Sequence, residues 1–447
     1  MGRSGSGHCR QEGFVFRCFF EFCYSLCRAQ GGSDVGFCSY CTPPPIATPD
    51  LLPSAKRVKQ DPSSSSIAQA YPMIPAMAAK DWSTLPPDLV RLVADSLLAT
   101  NDIDCYMCLR AVCPGWRAAT DDPRSDASDP RFRPRCWIVL DEVFQSQGKE
   151  MLLLNTHTGR FLHRELPLLS DHYVVTTTRN GYLVLADKSP PHSASVLNPL
   201  TGVVIRFMVS VPTEAGSLAV LSLPSSALGL TLFSDSSHKI YLAHPDSKSF
   251  VVKEVQQAPY GFFRKAVVGG VYADIVGHTV IVDLCLSLMS LDAADLAKLF
   301  AGGLRDATDL LCFPVCLAGH MLLVLYEKGS IFVLKKDVKI GKFVALDNIG
   351  RYAIFIGPQR CLTVDADKFP GIEANCAYFT EQLGSSVHIC KCNIKDRKVE
   401  RISEAADFVK QDKKFVLTAD RPSTIIHLLS GYTINIPDSQ LALQQVP

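Results

Sequence analysis

The stretch Met151-Leu-Leu-Leu-Asn155-Thr-His-Thr-Gly159-Arg-Phe161 reads as strand, turn, strand. A run of large apolar residues stops at an asparagine, whose side chain can bond its own backbone two residues on. A glycine able to adopt a left-handed conformation then ends the turn, and an aromatic residue restarts the apolar pattern. The same grammar recurs at Ala194-Ser-Val-Leu197-Asn198-Pro-Leu-Thr-Gly202-Val-Val204 and, in a third version, at Tyr241-Leu242-Ala-His-Pro-Asp246-Ser-Lys-Ser-Phe250. Leu154 and Leu197 lie 43 residues apart, and Leu197 and Leu242 lie 45 apart. That spacing is the length of a four-stranded propeller blade. Looser hairpins follow at Phe332–Phe343, around Asp337 and Gly341, and at His388–Val399, around Asn393 and Asp396. Between them Leu291–Phe300 places Leu291, Leu296 and Leu299 near one face and reads as a helix inserted among strands. The 296 residues from Trp137 to Tyr432 leave room for about six or seven blades. A degenerate propeller is the favoured reading; a β-sandwich or other antiparallel assembly shares the turn signals.

Upstream the periodicity is helical. Pro86 and Pro87 suit a helix start, where a missing amide hydrogen costs little, and Asp88 falls in the first turn, where the positive end of the helix dipole favours it. Leu85, Leu89, Val93 and Leu97 then recur every fourth residue, widened by Val90 and Leu92. Asn101 and Asp102 can cap a second helix carrying Ile103, Met107 and Leu109, and Cys113-Pro114-Gly115 turns the chain before Trp116 and Arg117. Three short helices of about 40 residues are near the lower limit for independent folding, so the unit calls for a partner.

These residues carry a resemblance. Leu85-Pro86-Pro87-Asp88-Leu89-Val90, followed by Leu109-Arg110-Ala111-Val112-Cys113-Pro114-Gly115-Trp116-Arg117, is similar to an F-box. The resemblance implies docking of apolar helix faces on the adaptor subunit of an SCF cullin-RING ubiquitin ligase, with adaptor contacts from Leu85, Pro86, Leu89, Val93, Leu97, Val112 and Trp116, the last two closing the unit together with Cys113. Packing of the same stripe on the protein's own β-domain is the alternative. Phe369-Pro370-Gly371-Ile372-Glu-Ala-Asn375-Cys376-Ala377-Tyr378-Phe379 resembles a signature of plant F-box proteins with a C-terminal KIB-type β-propeller. Pro130-Arg-Phe132-Arg-Pro134, Asn180-Gly181-Tyr182, Asn198-Pro199, Gly319-His320-Met321 and Ala353-Ile354-Phe355-Ile356-Gly357 agree with it.

Composition bounds the partners. The chain has 447 residues, 45 Lys+Arg against 44 Asp+Glu, 47% hydrophobic and 20% charged residues, which places it in the globular range. A net charge of +1 provides no long-range field for nucleic acid or a membrane surface. Mean hydropathy is +0.13, yet Phe14–Cys27 carries Arg17 and Glu21, and Val280–Leu291 carries Asp283, so neither reads as a membrane span. No secretory leader is legible, and the expected location is intracellular, in nucleus or cytoplasm. The 17 cysteines, including Cys285, Cys312, Cys316 and Cys361, read as free thiols.

Residues 1–76 differ from the rest, with six cysteines up to Cys41 and then a run rich in Pro, Ser and Ala. They read as a disordered extension, with Met73 or Met77 as natural starts for the patterned part. Cys23, Cys27, Cys38 and Cys41 resemble a four-thiolate zinc site only loosely, and no metal is expected. Lys56, Arg57 and Lys59 in Pro53–Asp61 resemble the monopartite nuclear-import segment of the Myc protein. Ser63–Ser66 reads as a flexible spacer; the alternative is a phosphorylation site whose added negative charge beside Lys56–Lys59 would mask that signal.

Catalytic motifs are missing: no Gly-x-Ser-x-Gly elbow, phosphate loop, His-Glu-x-x-His or dinucleotide glycine fingerprint is present. Isolated candidates are Asp171-His172, Asp274 with His278, and the Asp365/Asp367 pair, for which structural roles are expected. His157, His244 and His320 are expected to be structural, and Cys105-x-x-Cys108 to be packed. The expected organisation is multidomain: an extension at 1–76, an all-α three-helix F-box at 81–122, a joint at 123–136, an all-β degenerate propeller at 137–435 and a tail at 436–447. The expected function is a non-enzymatic substrate receptor of an SCF ligase, with no cofactor, whose partners are the adaptor, through it cullin, and a target protein. A non-degradative protein-binding propeller and a propeller hydrolase or carbohydrate binder are the rivals.

Overall fold

The computed structural model describes residues 84–140, 150–178, 181–214, 218–222, 228–234, 239–254, 311–317, 320–327, 329–337, 343–358, 360–411, 414–418, 424–435 and 437–444. The expectations for residues 1–76, Asp274, His278, Cys285 and Leu291–Phe300 lie outside the described residues, as do the side chains of Cys312, Cys316 and His320. The chain divides into two compact units. One takes in Asp104–Asp121 and the described residues up to Leu97; the other holds Leu98–Ile103 and everything from Asp122 onward.

The helices are α1 (Pro87–Ala99), α2 (Ile103–Ala111) and α3 (Pro114–Ala118). Pro86 starts α1 as its sequence suggests, its carbonyl accepting from the amides of Leu89 and Val90 at 3.0 and 3.2 Å. Cys113 caps α3, its Sγ accepting from the Trp116 amide at 3.4 Å, with Pro114 in the first helical position.

In the larger unit the first sheet is β1 (Trp137–Val139), β2 (Glu150–Asn155) and β3 (Phe161–Glu165); the second is β4 (His172–Thr177), β5 (Leu183–Asp187), β6 (Ser193–Leu197) and β7 (Val204–Ser210). The third is β8 (Leu218–Ser222), β9 (Gly229–Ser234), β10 (Lys239–Ala243) and β11 (Val251–Glu254); the fourth is β12 (Leu311–Leu317), β13 (His320–Glu327), β14 (Ser330–Lys336) and β15 (Phe343–Leu346). Each is an antiparallel meander. Sheets two and three share one core, and sheets four and five another. Ile138 and Leu154 of the first sheet share a third core with Phe355, Val364 and Tyr378 of the last. First packed on last is the closure expected of a propeller-like all-β region.

The fifth sheet departs from the meander. It contains β16 (Tyr352–Ile356), β17 (Cys361–Asp365), β18 (Cys376–Leu383), β19 (Ser386–Asn393), β20 (Val399–Arg401), β21 (Phe408–Gln411) and β22 (Lys414–Leu417). Its order is β17-β16-β18-β19-β21-β22, with β20 beside β19, and β16 and β18 run parallel from Ala353 opposite Cys376 to Ile356 opposite Phe379. The signature Phe369–Phe379 is the crossover that makes this pairing. Phe369 and Ile372 bury beneath it, Tyr378 stacks on Phe355 at 4.8 Å between ring centres, and the Tyr378 hydroxyl oxygen accepts from the Glu373 amide at 2.8 Å. Asn375 holds it to the preceding loop, accepting from the Ile349 amide at 2.9 Å and donating to the Asp347 carbonyl at 3.2 Å.

The recurrent turns share one geometry. Asn155 Oδ1 accepts from the amides of His157 and Thr158, Asn198 Oδ1 from those of Leu200 and Thr201, and Asn393 Oδ1 from that of Lys395. Four residues after each asparagine the backbone is left-handed, at Gly159 (φ 71°), Gly202 (φ 73°) and Arg397 (φ 56°). The 241–250 turn differs: there the acceptor is a hydroxyl, Ser247 Oγ, which accepts from the His244 amide at 3.0 Å.

The segment read as a joint is built into the larger unit. In the joint at 123–136, Asp126 and Asp129 accept from the amides of Ser128 and Arg131. Asn198 Nδ2 donates to the Phe132 carbonyl at 2.9 Å and the Thr156 amide to that of Cys136 at 2.8 Å. Asn101 ties in the same strip, Nδ2 donating to the Arg133 carbonyl at 2.7 Å and Oδ1 accepting from the Cys136 amide at 3.2 Å. Asp102 pairs with Arg160 at 2.7 Å.

Two helices stand at the end of the expected propeller segment and in the expected tail, α4 (Ile425–Ile434) and α5 (Gln440–Gln444). Leu429 of α4 enters the core between sheets one and five; Leu441 of α5 enters that of sheets two and three. Gln440 Oε1 accepts from the Val174 amide of edge strand β4 at 2.8 Å, standing in for a missing neighbour strand.

Candidate functional site

The candidate surface is the outer face of α1. Val90, Ala94 and Leu98, spaced by four, are buried, whereas Leu89 and Leu92 are 49% and 61% exposed. Two leucines three apart are neighbours on a helix, so they form one apolar patch facing water. Pro86 is exposed, Leu85 half-buried one turn earlier, and Val93 and Leu97 half-buried at the patch's flank. Val112, after α2, is 39% exposed. Trp116, expected as a contact, is only 5% exposed. Leu92, the most exposed of these residues at 61%, is read from the sequence as widening the stripe but is not among the expected adaptor contacts. Its signal was present, since Leu89 and Leu92 also satisfy helical spacing.

Behind the patch-bearing helix, α2 is tied to the chain after α3 by a cage around Arg110. Its Nη1 donates to the carbonyls of Thr120 and Asp121, both at 2.6 Å, and to Thr120 Oγ1 at 3.1 Å. A cation against the last carbonyls after α3 opposes the negative end of the helix dipole. The Tyr106 hydroxyl donates to the Asp121 carbonyl at 2.7 Å, and burial pushes its pKa up against the lowering effect of Arg110. Around Arg131, Asp129 is held below the usual carboxylate range: burial opposes this, but hydrogen bonds from Arg131 outweigh it.

The isolated carboxylates and histidines have structural partners. His172 Nε2 lies 3.0 Å from Asp187, and its Nδ1 2.9 Å from the Leu168 carbonyl, so Asp171 is not its partner. Asp365 is buried, pairs with Arg351 at 3.1 Å and caps the Asp367 amide at 3.2 Å; Asp367 itself is exposed, and the two do not act as a pair. His157 is exposed beside Tyr352, with ring centres 6.3 Å apart, and His244 bonds the Leu228 carbonyl at 2.8 Å. His427 Nε2 lies 2.9 Å from buried Asp407 and its Nδ1 2.7 Å from Thr424 Oγ1, an order reminiscent of a nucleophile relay. Thr424, however, is the cap of α4 and accepts from the His427 amide at 3.3 Å, while Asp407 Oδ2 accepts from the Ile389 amide and Ser403 Oγ. The set ties α4 to β19. Cys105 is buried and Cys108 half-buried; Cys376, Cys390 and Cys392 are buried free thiols. Among the described residues no group of three or more His, Cys, Asp or Glu could hold a metal ion, and no helix is long and apolar enough to cross a membrane.

Residues 144–399, more than half of the chain, match the family model described as KIB1-4 beta-propeller. No curated protein matches the chain. Among solved structures, TolB from Acinetobacter baumannii is 12% identical over 58% of this chain and 52% of its own, with a TM-score of 0.20. The WD40 domain of SCAP from fission yeast is 9% identical over 59% of this chain and 60% of its own, with a TM-score of 0.18. A protein of unknown function from Bacteroides caccae is 8% identical over 60% and 73%, with a TM-score of 0.16. The chain thus spans about half the length of that TolB, and scores this low carry no argument about fold or function.

Proposed function

From the premise that the chain belongs to the KIB1-4 beta-propeller family, we propose that it is the substrate-recognition subunit of an SCF-type cullin-RING ubiquitin ligase. In this reading the three helices are an F-box that docks the adaptor, and the propeller holds a target protein. The observation that carries it is the water-facing pair Leu89 and Leu92 on a small helical unit that buries its other stripe. An apolar helix face of this kind is what a partner's groove covers.

The protein's part in ubiquitin transfer is proximity. Binding adaptor and target at once turns a bimolecular encounter into one set by the geometry of the complex, with no catalytic group of its own. Seating the exposed 49% of Leu89 and 61% of Leu92 is worth about 1.6–3.3 kcal/mol at roughly 1.5–3 kcal/mol per fully buried leucine, or about 15- to 200-fold in affinity. Titration of the SCF adaptor into the wild-type chain and a Leu89→Ala/Leu92→Ala variant tests this. Both positions already face water, so the variant keeps its fold. Equal affinities, or no binding by the folded wild type, would remove the F-box reading.

A further inference from the structure

At the far end of the fifth sheet lies a pocket of about 110 Å³, open on one side. Ile356, Val387, Phe415 and Ile434 supply its apolar walls, and Tyr326, Thr380 and Gln382 its polar groups; no charged side chain lines it. Two devices keep the walls apart and in place. Gly357 packs against the end of α4 so closely that a Cβ there would collide with the Thr433 carbonyl, and Arg360 fixes that contact by donating its amide to Thr433 at 3.3 Å and stacking on Tyr432 at 4.2 Å. Opposite, Asn435 grips the backbone of Phe415 at both ends, Oδ1 accepting from its amide at 3.1 Å and Nδ2 donating to its carbonyl at 2.7 Å.

We propose that this cavity is a binding site for a small neutral monocyclic molecule bearing one hydroxyl group, its ring among Ile356, Val387, Phe415 and Ile434 and its hydroxyl among Tyr326, Thr380 and Gln382. The volume is of the order of the roughly 150 Å³ apolar cavity that takes up benzene. A charged ligand would lose its hydration with no counter-charge in the lining to replace it. Tyr326 stays a neutral donor at physiological pH, because burial pushes its pKa up to about 12 despite a hydrogen bond from the Gly329 backbone that lowers it. The site does not depend on the ligase reading.

The test is fluorine NMR titration of the full chain with 4-fluorophenol, fluorobenzene and 4-fluorobenzoate. The wild type is expected to give saturable shifts with the two neutral probes and none with the anion. Gln382 is exposed at the rim, so Gln382→Trp closes the mouth without disturbing the core and should abolish both shifts, with the fold checked by circular dichroism. Tyr326→Phe should weaken 4-fluorophenol about two- to tenfold, the worth of one hydrogen bond, and leave fluorobenzene unchanged. No saturable shift with folded wild type, shifts that survive Gln382→Trp, or binding of 4-fluorobenzoate as tight as that of the phenol would each overturn the proposal.

Discussion

Gly159 and Gly202 occupy the same position of the same turn with nearly the same backbone, φ 71° and 73°, yet substitution should not cost the same. Placing any Cβ residue in the left-handed region costs about 1–2 kcal/mol. At Gly202 nothing lies within 4 Å of the added carbon, so Gly202→Ala should lose only that amount. At Gly159 the carbon would stand 2.7 Å from the Lys368 carbonyl oxygen, which belongs to backbone that cannot swing aside. Overpacking of this kind adds about 1–3 kcal/mol, so Gly159→Ala should lose about 2–5 kcal/mol in total. Urea unfolding followed by tryptophan fluorescence reads the difference as a lower midpoint at unchanged slope. The Asn393 turn supplies the reciprocal: Arg397→Gly removes the backbone strain but also the stacking of Arg397 on Phe332 at 4.5 Å, worth about 0.5–1 kcal/mol, so its net gain should be about 0–1.5 kcal/mol. Equal losses at Gly159 and Gly202 would refute the reasoning, since backbone conformation alone would then govern these turns.

Asp407→Ala should destabilise the larger unit by about 3–5 kcal/mol, because it strips the Ile389 amide and Ser403 of an acceptor and leaves His427 facing an empty site; thermal unfolding reads the loss, and an effect below about 1 kcal/mol would contradict the tie between α4 and β19. Arg110→Ala should cost about 2–4 kcal/mol of the helical unit's stability by leaving the carbonyls of Thr120 and Asp121 without their charged donor, measurable by hydrogen exchange in α2 and α3. Burial pushes the thiols of Cys390 and Cys392 up to about 11, so at pH 8 their thiolate fraction is roughly a hundredfold below that of an ordinary cysteine. Native-state alkylation of both, read by peptide mass spectrometry, should therefore rise about tenfold per pH unit between pH 8 and 10; a plateau below pH 9 would contradict this.

Much of the fold was legible. The Asn-to-Gly turn grammar of Asn155 and Asn198 fixes hairpins by local chemistry, and local chemistry is what a sequence displays. The parallel pair β16 and β18 was not, because strand order depends on which segments meet and not on what each prefers. At the Asn393 turn the hairpin was legible but not its likeness to the other two, because Arg397 takes the left-handed conformation that glycine takes at Gly159 and Gly202. The helix α5 escaped because five residues with one buried anchor, Leu441, show no period. At the candidate site the helical stripe was readable, but its division into buried and exposed members was not. Val90 and Leu89 are equally apolar neighbours, and only packing puts one inside and the other in water.

The receptor role is tested most directly by joining binding to turnover. Proteins captured by the propeller through proximity labelling would be followed by pulse-chase in cells carrying either the wild-type chain or the Leu89→Asp/Leu92→Asp variant. The account predicts at least one protein that both chains label equally and whose half-life lengthens only with the variant, since its target-binding surface is intact and its docking face is charged. Equal half-lives for every labelled protein, with the wild type folded and adaptor present, would contradict it and leave a propeller that binds without delivering its partners for degradation.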